Sequence, residues 1–330
     1  MTARILVTGG AGYIGSVIVD QLLHRGHGVV VLDDLSRGHR PAVARGAGFI
    51  QGNVGNRELV QSLLERERID AIIHMAAFAL VPESVAQPQM YVTNNVTAAR
   101  VLLEAAVRAK IRRFVFSSSC AVYGHPASIP ITEDAPQQPV NPYGETKRDF
   151  EKLLGDIAPL HGIAVVSLRY FNACGATDLR GEDHEPETHL IPNVLGAALG
   201  KRGPLEIYGT DYPTADGTAI RDYVHVTDIA DAHLRALDVQ VDGGRPVAVN
   251  LGTGTGRSVR EVVAAARRVS GRDVPAVERP RRPGDPPELV AAVQHAATVL
   301  GWRASHSSLE EILGSAWRWH QAHPHGYRGG

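Results

Sequence analysis

The sequence is poor in the residues and segments that mark secreted, metal-bound or membrane proteins. It holds only two cysteines in 330 residues, Cys120 and Cys174, and their spacing matches no metal-binding pattern. We therefore expect no disulfide scaffold, no zinc site and a reducing compartment. No apolar run approaches the roughly 18 residues that would suggest a membrane span, and no signal-peptide pattern precedes the first strand. These absences predict a cytoplasmic protein that neither holds a metal nor contacts a membrane.

An excess of charge of either sign is also missing. Lys and Arg total 34 and Asp and Glu total 35, which gives a formal net charge of −1. No overall basic field exists to hold nucleic acid or an anionic membrane surface. An anionic small molecule would instead have to be bound by a local group of arginines. Because 44% of the residues are hydrophobic, the chain can bury a sizeable core.

Strand and helix patterns alternate along the first half of the chain. Near-continuous apolar strands separated by helices are typical of a doubly wound parallel sheet in an α/β fold. We expect residues 1–172, with a return segment near 222–255, to form this sheet, and residues 173–330 to form a smaller α/β substrate domain. Glycine and proline cluster at 203–217 and 279–287, which we interpret as ordered loops. The predicted strands are Arg4–Thr8, Val29–Leu32, Ala71–His74, Phe114–Ser118 and Ala164–Arg169; the predicted helices include Leu59–Arg66 and Thr97–Ala109, and Val247–Val269 reads as strand, turn and helix.

A glycine-rich turn follows the first predicted strand. The segment GGAGYIG at 9–15 places Gly9, Gly12 and Gly15 at three-residue intervals, directly before a helix that begins near Tyr13. Glycines at such intervals allow a tight turn, a close approach of pyrophosphate to the backbone, and close packing of helix on strand. The helix N-terminus then faces the phosphates. The pattern predicts a Rossmann-like dinucleotide site.

The end of the second strand indicates which dinucleotide is bound. Asp33 lies 18 residues beyond Gly15, where a carboxylate can bind the adenosine ribose hydroxyls and repel a 2′-phosphate. This favours NAD over NADP. Asp34 reads as a turn residue beside it. Arg37 and Arg40 could receive a 2′-phosphate, which leaves NADP open as the alternative.

Tyr143 and Lys147 lie four residues apart in NPYGETK and follow Ser119, which ends a strand. Asn141 and Pro142 are typical of a helix start, so both side chains share one helical face. A free phenol has a pKa of about 10. An ammonium about 5 Å away at a dielectric constant of ~20 would favour the phenolate by roughly 3 kcal/mol, or about 2 pK units. Such a pair often occurs by chance, but its position after a dinucleotide turn predicts that Tyr143 is a general base.

Together these motifs resemble the extended short-chain dehydrogenase/reductase superfamily. Within it the chain is similar to the UDP-glucose/UDP-galactose 4-epimerase family over essentially its whole length. The resemblance rests on GGAGYIG, the pair Asn94–Asn95, SSSCAVYG at 117–124, NPYGETK at 141–147, RYFN at 169–172 and DYPTADGTAIRDYVHVTD at 211–228, and on a chain end with Trp317, Trp319 and HPHGY. The stretch 211–228 is the most specific of these.

The resemblance implies an NAD-dependent isomerase of galactose metabolism that interconverts UDP-glucose and UDP-galactose, as a homodimer. Tyr143, aided by Ser119, would take the proton of the sugar 4-hydroxyl while hydride passes to NAD. The 4-keto sugar would then turn, and hydride would return to its other face. Lys147 would hold the nicotinamide ribose and tune Tyr143. The residues implied to contact NAD are Gly9, Gly12, Tyr13, Ile14, Gly15, Asp33, Asp34, Asn53, Val54, Met75, Ala76, Ala77, Asn95, Ser117, Tyr143, Lys147 and Tyr170. Those implied to contact the UDP-sugar are Ser119, Tyr143, Phe171, Asn172, His189, Leu190, Arg221, Tyr223, Arg282 and Asp285.

Several positions depart from the family pattern. Asn53 replaces an aspartate that meets the adenine, and Ala79 replaces a lysine that supports the cofactor. His189 replaces an asparagine at the substrate. Leu289 falls at the position that gates the sugar pocket and is intermediate in size. We therefore expect UDP-glucose and UDP-galactose as substrates with some acceptance of N-acetyl forms, and pentose or uronic-acid nucleotides stay open.

Three other functions compete with the epimerase interpretation. A nucleotide-sugar dehydratase would carry an adjacent Asp–Glu pair where Cys120 and Ala121 stand, although Glu145 is near in sequence. We interpret Cys120 as a packing residue, and a reactive thiol is the alternative. A non-catalytic nucleotide sensor should have lost part of the Ser119, Tyr143 and Lys147 set. An alcohol dehydrogenase would exchange its NAD and form NADH steadily.

Overall fold

The computed structural model describes residues 2–241, 245–282 and 284–329. Its strands, numbered in chain order, form one large parallel sheet and two small sheets. The strands are β1 (Arg4–Thr8), β2 (Gly28–Asp33), β3 (Gly48–Gln51), β4 (Ala71–His74), β5 (Arg113–Ser119), β6 (Ala164–Tyr170), β7 (Asn172–Cys174), β8 (Leu205–Tyr208), β9 (Ile220–His225), β10 (Val247–Leu251), β11 (Gly256–Ser258), β12 (Ala276–Arg279) and β13 (Glu288–Leu289).

Helices cover both faces of the large sheet and pack around the small ones. They are α1 (Tyr13–His24), α2 (Arg57–Arg66), α3 (Val81–Ala86), α4 (Pro88–Val92), α5 (Ala99–Arg108), α6 (Pro142–His161), α7 (Leu190–Ala198), α8 (Val226–Ala236), α9 (Val259–Ser270), α10 (Gln294–Leu300) and α11 (Leu309–Ala322). Short 3₁₀ turns occur at Arg40–Ala42, Cys120–Tyr123 and Gly326–Gly329, and a π-helical turn at Thr93–Ala98 leads into α5. Among the described residues, no helix is both long and apolar enough to cross a bilayer.

The large sheet has seven parallel strands in the order β10-β6-β5-β4-β1-β2-β3. The chain passes from β1 to β2 and β3 on one side and then to β4 on the other. The order therefore reverses between β1 and β4. In open α/β sheets, ligands bind outside the carboxyl ends of the strands at such a switch point. The predicted doubly wound Rossmann-like fold is confirmed, and so are all five strands predicted for its first half.

The return of the chain to this sheet is also observed, because β10 pairs in parallel with β6 at its edge. The segment 203–217 is not a loop throughout. Leu205–Tyr208 forms β8, which pairs in parallel with β12 at the start of the second proline-rich segment. The remaining small strands gather around β9, which pairs with β7, β11 and β13. The division into domains 1–172 and 173–330 stays a prediction.

Apolar side chains on the two faces of the sheet form two cores. One lies against α1, α8 and α10 and the other against α2, α5 and α6. On α5 and α6, Leu102, Leu103, Phe150 and Leu154 are fully buried within the chain. Fully burying one such side chain contributes about 1.5–3 kcal/mol. The apolar stripes of these helices are therefore used by packing inside one chain.

Helix α6, which carries Tyr143 and Lys147, begins where the sequence indicated. The Asn141 side chain accepts a hydrogen bond from the Gly144 N–H at 2.9 Å, and Pro142 occupies the first position. Both features stabilise a helix N-terminus. The helix ends at Gly162 in the left-handed conformation with φ of 62°. These caps fix Tyr143 in the first turn of α6, beside the end of β5.

Candidate active site

A single cleft of about 1360 Å³ runs along the carboxyl ends of the large sheet and on to the small sheets. Loops after β1, β2, β3, β4, β5 and β6 form one part of its wall, and β7, α7, β9 and the segment before β13 form the other. The cleft therefore joins the switch point of the Rossmann-like sheet to the C-terminal half of the chain. Every residue predicted to bind cofactor or substrate lines it, except Asn95.

Asn95 lies behind the cleft wall in the π-helical turn. Its side-chain oxygen accepts from the Phe78 N–H at 2.8 Å, and its amide donates to the Phe78 carbonyl at 2.9 Å and to Thr146 at 3.1 Å. Asn95 thus fixes the loop after β4 against α6. Phe78 lines the cleft in its place. The predicted contact of Asn95 with the cofactor stays a prediction.

The glycine turn packs closely against neighbouring backbone. Gly9 has φ of +70°, and a Cβ there would lie 2.6 Å from the Ala76 backbone nitrogen. A Cβ on Gly15 would lie 2.2 Å from the Gly9 carbonyl oxygen. Gly12 precedes α1 without a side-chain cap, so the first N–H groups of that helix face the cleft. Backbone donors at a helix N-terminus bind phosphate oxygens, and the turn leaves room for them.

Substituting Gly15 by Ala should disrupt this turn. Since the new methyl group would meet backbone rather than a flexible side chain, the turn must shift, and we expect loss of bound dinucleotide together with a lower melting temperature. Gly155→Ala is the matched control, because a Cβ there meets nothing within 4 Å and Gly155 lies inside α6. That control should raise stability by about 0.5–1 kcal/mol. Nucleotide content after purification and thermal unfolding measure both effects; retention of nucleotide by Gly15→Ala would contradict the assignment.

Asp33 is held by the loops around it. Its carboxylate accepts from the Ala11 N–H and the Leu35 N–H, both at 2.9 Å. Burial raises the pKa of Asp33, and these two hydrogen bonds offset part of that rise. Nearby, Arg37 pairs with Glu83, and Arg40 lies over the Phe49 ring at 4.4 Å. Both arginines that could receive a 2′-phosphate thus have other partners.

We expect Asp33→Asn to weaken discrimination against a 2′-phosphate. A unit charge about 7 Å away contributes roughly 2 kcal/mol at an effective dielectric constant of about 20. The ratio of the Kd values for NADP and NAD should therefore fall about 30-fold. Asp34→Asn is the comparison, because the Asp34 carboxylate accepts from the Ser36 N–H in its own turn and from the Asn53 side chain after β3. Titration of protein stripped of nucleotide gives both ratios; an unchanged ratio in Asp33→Asn would place the discrimination elsewhere.

Ser119, Tyr143 and Lys147 meet where the two parts of the cleft join. Ser119 ends β5 and its hydroxyl accepts from the Ala121 N–H at 3.1 Å. The Lys147 ammonium donates to the Ser117 carbonyl at 2.7 Å and lies 5.8 Å from the centre of the Tyr143 ring. All three predicted catalytic side chains line the cleft.

In the protein alone, burial shifts the pKa values of Tyr143 and Lys147 away from those of the free side chains. Burial raises the pKa of Tyr143 to about 12, although the Ser119 hydroxyl lowers it somewhat. Burial also lowers the pKa of Lys147 to about 7, against the carboxylate of Glu151, which raises it. The attraction between ammonium and phenolate acts against the cost of removing both groups from water, and that cost depends on burial, which the sequence does not report. Desolvation dominates, so Lys147 by itself does not bring Tyr143 to neutrality.

The other end of the cleft gathers the predicted phosphate-binding residues. Arg221 on β9 pairs with Asp285, and its second nitrogen donates to the Ile220 carbonyl at 2.7 Å. Arg282 lies over the ring of Tyr208 at 4.0 Å. Leu289 on β13 lines the same region and pairs in register with Arg221. Tyr208 was missed because it lies in the segment that read as a loop.

The sequence analysis also missed a group of four ionisable side chains in the cleft wall. Glu182, His184, Glu187 and His189 bring their ligand atoms within 4.8 Å of one another. Burial would lower the pKa of His189, but Glu182 and Glu187 raise it to about 10. Only His189 had been singled out, as a substrate contact. The signal was present as four acids and two histidines within the eight residues EDHEPETH, a pattern that cysteine spacing does not reveal.

Cys120 packs in a small apolar cluster and also borders the cleft, which favours a packing role. It is buried beside Val122, Tyr123 and Phe171. Burial raises its pKa to about 12, so the thiolate is scarce at neutral pH. Neither Cys120 nor Ala121 offers an acid to the cleft, and Glu145 is exposed and lies outside the cleft lining.

The sequence and structure are similar to those of known epimerases over nearly their whole length. The chain is 48% identical over 326 residues to a UDP-glucose 4-epimerase of Lactobacillus helveticus, covering 98% of this chain and 99% of that one. The crystal structure of a UDP-glucose 4-epimerase from Brucella ovis in complex with NAD superimposes with a TM-score of 0.92 at 46% identity, covering 96% of this chain and 98% of the other.

A second solved structure, of UDP-glucose 4-epimerase from Bifidobacterium longum in complex with NAD+ and UDP, has a TM-score of 0.93 at 35% identity and covers 98% and 99% of the two chains. The model of the NAD dependent epimerase/dehydratase family matches residues 5–252. Since this match spans most of the chain, the protein belongs to the NAD dependent epimerase/dehydratase family.

Proposed function

We propose that the protein is an NAD-dependent nucleotide-sugar 4-epimerase that interconverts UDP-glucose and UDP-galactose through a 4-keto intermediate. The observation that carries this proposal is the position of Ser119, Tyr143 and Lys147. They line the same continuous cleft as the dinucleotide turn and as the Arg221, Arg282 and Asp285 group. A sugar carbon held beside these three side chains could react with a cofactor bound at the dinucleotide turn. Its diphosphate would at the same time be bound by the two arginines.

At the junction, Tyr143 would take the proton of the sugar 4-hydroxyl and later return it. Ser119 would hold the same hydroxyl and shorten the path of the proton. Bound NAD would supply the hydride acceptor, and its cationic ring would add the positive charge that favours the Tyr143 phenolate. Lys147, held by the Ser117 carbonyl, would donate to the cofactor ribose.

The C-terminal half of the cleft would hold the UDP group. Arg221 and Arg282 present planar guanidinium groups, which suit diphosphate oxygens. Asp285, which pairs with Arg221 in the protein alone, would then accept from the uridine ribose. Phe171, Asn172, Leu190 and Tyr223 would shape the space around the sugar. Because the nucleotide is anchored away from carbon 4, the sugar would be free to turn about its link to the diphosphate.

The same arrangement weighs against the competing functions. A dehydratase needs an additional acid beside the sugar, and the positions after Ser119 hold a thiol with a pKa of about 12 and a methyl group. A sensor needs no catalytic trio. The leucine at 289 favours hexoses and admits N-acetyl sugars to a lesser degree. A role in galactose metabolism follows from the proposed substrates.

A homodimer and a cytoplasmic location are further parts of this proposal. The homodimer is supported by the likeness to the epimerase family. The apolar stripes of α5 and α6 add no support, because they are buried inside one chain. Light scattering coupled to gel filtration measures the mass directly, and one chain is 35.4 kDa. A mass of a single chain at micromolar concentration would overturn the dimer.

The experiment that tests the function needs only the purified protein and UDP-galactose. We expect UDP-glucose to appear on anion-exchange chromatography without added cofactor, if NAD is retained, or on addition of NAD. Steady formation of NADH would instead identify a dehydrogenase, and a product lighter by one water would identify a dehydratase. If neither UDP-hexose changes even with NAD, the hexose assignment fails, and N-acetyl, pentose and uronic-acid nucleotides are tested next.

A further inference from the structure

The loop between β7 and α7 carries an unusual convergence of side chains. The Nδ1 atom of His189 lies 2.8 Å from Glu182 Oε1 and 2.9 Å from Glu187 Oε1. The Nδ1 atom of His184 lies 3.1 Å from the same Glu182 oxygen and 3.8 Å from Glu187 Oε2. Both histidines thus contact the carboxylates through Nδ1, and the four side chains offer ligand atoms that lie within 4.8 Å of one another.

The two carboxylates of this group are buried without an arginine or lysine. The side chains of Glu182 and Glu187 are only 6% and 4% exposed. Within the described residues, their ion pairs are with His184 and His189 alone. Metal binding requires both imidazoles to be deprotonated, and the group then carries two negative charges largely out of water. One divalent cation would balance that charge.

The spacing fits the coordination shell of a small transition metal. Zinc binds histidine nitrogen and carboxylate oxygen at about 2.0–2.2 Å in a tetrahedron, so neighbouring ligand atoms lie roughly 3.3 Å apart. The four nitrogen-to-oxygen separations run from 2.8 to 3.8 Å, and all four ligand atoms lie within 4.8 Å of one another. Two imidazoles with two carboxylates suit Zn²⁺ better than Ca²⁺ or Mg²⁺, which prefer oxygen ligands alone.

Neighbouring groups already orient the ligands. The His189 backbone N–H donates to Glu187 Oε1 at 2.8 Å. Between two of the ligands, the Asp183 carbonyl accepts from His39 and its carboxylate accepts from the Tyr327 N–H at 2.9 Å. Supporting hydrogen bonds of this kind hold metal ligands in place. Through these contacts, His39 and Tyr327, which are distant in the sequence, help to hold the loop in its conformation.

We propose that Glu182, His184, Glu187 and His189 bind one Zn²⁺ ion that braces the wall of the cleft. The edge of the His184 ring meets Tyr13 at the N-terminus of α1, with ring centres 6.2 Å apart. His189 directly precedes α7, whose first residue lines the substrate end of the cleft. The ion therefore ties the dinucleotide side of the wall to the substrate side. Because four protein ligands fill its shell, its role is structural rather than hydrolytic.

The metal content of the protein tests this proposal without any activity measurement. The tag is removed, the protein is dialysed against Zn²⁺ and then against metal-free buffer, and zinc is counted by mass spectrometry. We expect about one zinc per chain, and a melting temperature that rises by roughly 5 °C when free Zn²⁺ is 100 times its Kd. Co²⁺ in the same site should show the strong visible absorption of a tetrahedral ion. Less than a tenth of an ion per chain, or no change in melting temperature, would overturn the proposal.

Two variants and a control distinguish this site from surface binding. His184→Ala removes one ligand, and Glu187→Gln removes one with almost no change of shape; both should lose the bound zinc. The control is His24→Ala, which removes a largely exposed histidine that pairs with Asp20 and should leave one zinc in place. Zinc retained in full by both ligand variants would also refute the site. The outcome is independent of epimerase activity, so the proposed function and the metal site can fail separately.

Discussion

Tyr143→Phe is expected to lower kcat for the interconversion of UDP-galactose and UDP-glucose by about 10³-fold, within the range for loss of a positioned acid–base group. The variant keeps the ring and loses only the hydroxyl that would move the proton. Because Tyr143 would act on the 4-hydroxyl and the nucleotide is held at the other end of the cleft, KM should change much less than kcat. Bound NAD content should also be retained. Initial rates at saturating substrate and nucleotide content measured on the same preparations give the three quantities.

The matched control for this variant lies two residues further along α6. Glu145→Gln removes an exposed carboxylate that does not line the cleft, so its kcat should equal that of the wild type. The same control tests the dehydratase alternative, which would need Glu145 as an additional acid. A normal kcat in Glu145→Gln would exclude that role. Equal losses in both variants would show that disturbance of α6, rather than loss of the hydroxyl, lowers the rate. A Tyr143→Phe enzyme of normal kcat would remove Tyr143 from the chemistry.

The residues that the sequence identified well are those whose role follows from local backbone geometry. Gly9 and Gly15 could be assigned because a close approach of backbone to backbone excludes any side chain, and their spacing records this. Asn141 and Pro142 predicted the start of α6 for the same reason, since caps act over a single turn. Parallel strands with continuous apolar runs were equally visible, because both of their faces are buried.

What the sequence did not reveal depends on contacts between distant segments. Strand β8 lies in a glycine- and proline-rich stretch, and it exists because β12, some seventy residues later, pairs with it. Burial, which the sequence does not report, is the largest influence on the pKa of Tyr143 in the protein alone. The zinc ligands are close in sequence, but their convergence requires His39 and Tyr327 to hold the loop between them.

A buried ion pair behind the active site illustrates how such distant contacts hold the catalytic helix. Arg169 on β6 binds Glu151 on α6 through two hydrogen bonds of 3.0 and 2.6 Å, and their side chains are 5% and 9% exposed. Arg169 also donates to the Tyr123 hydroxyl at 2.8 Å and to the Glu133 carbonyl at 2.9 Å. The same Glu151 carboxylate raises the pKa of Lys147 one turn away. The pair therefore joins strand β6 of the large sheet to the helix that presents Tyr143.

We expect Glu151→Gln to lower the free energy of unfolding by about 3–5 kcal/mol, because it leaves the Arg169 charge buried without a counter-charge. Asp149→Asn on the same helix is the matched control: it breaks a pair with Arg148 at 2.9 Å in which Asp149 is 50% exposed, and exposed pairs contribute about 0–1 kcal/mol. Urea unfolding of both variants at equal protein concentration measures the two losses. Similar losses would mean that water reaches Arg169 in solution. A large loss in Glu151→Gln alone would show that this pair holds α6, and with it Tyr143 and Lys147, against the sheet.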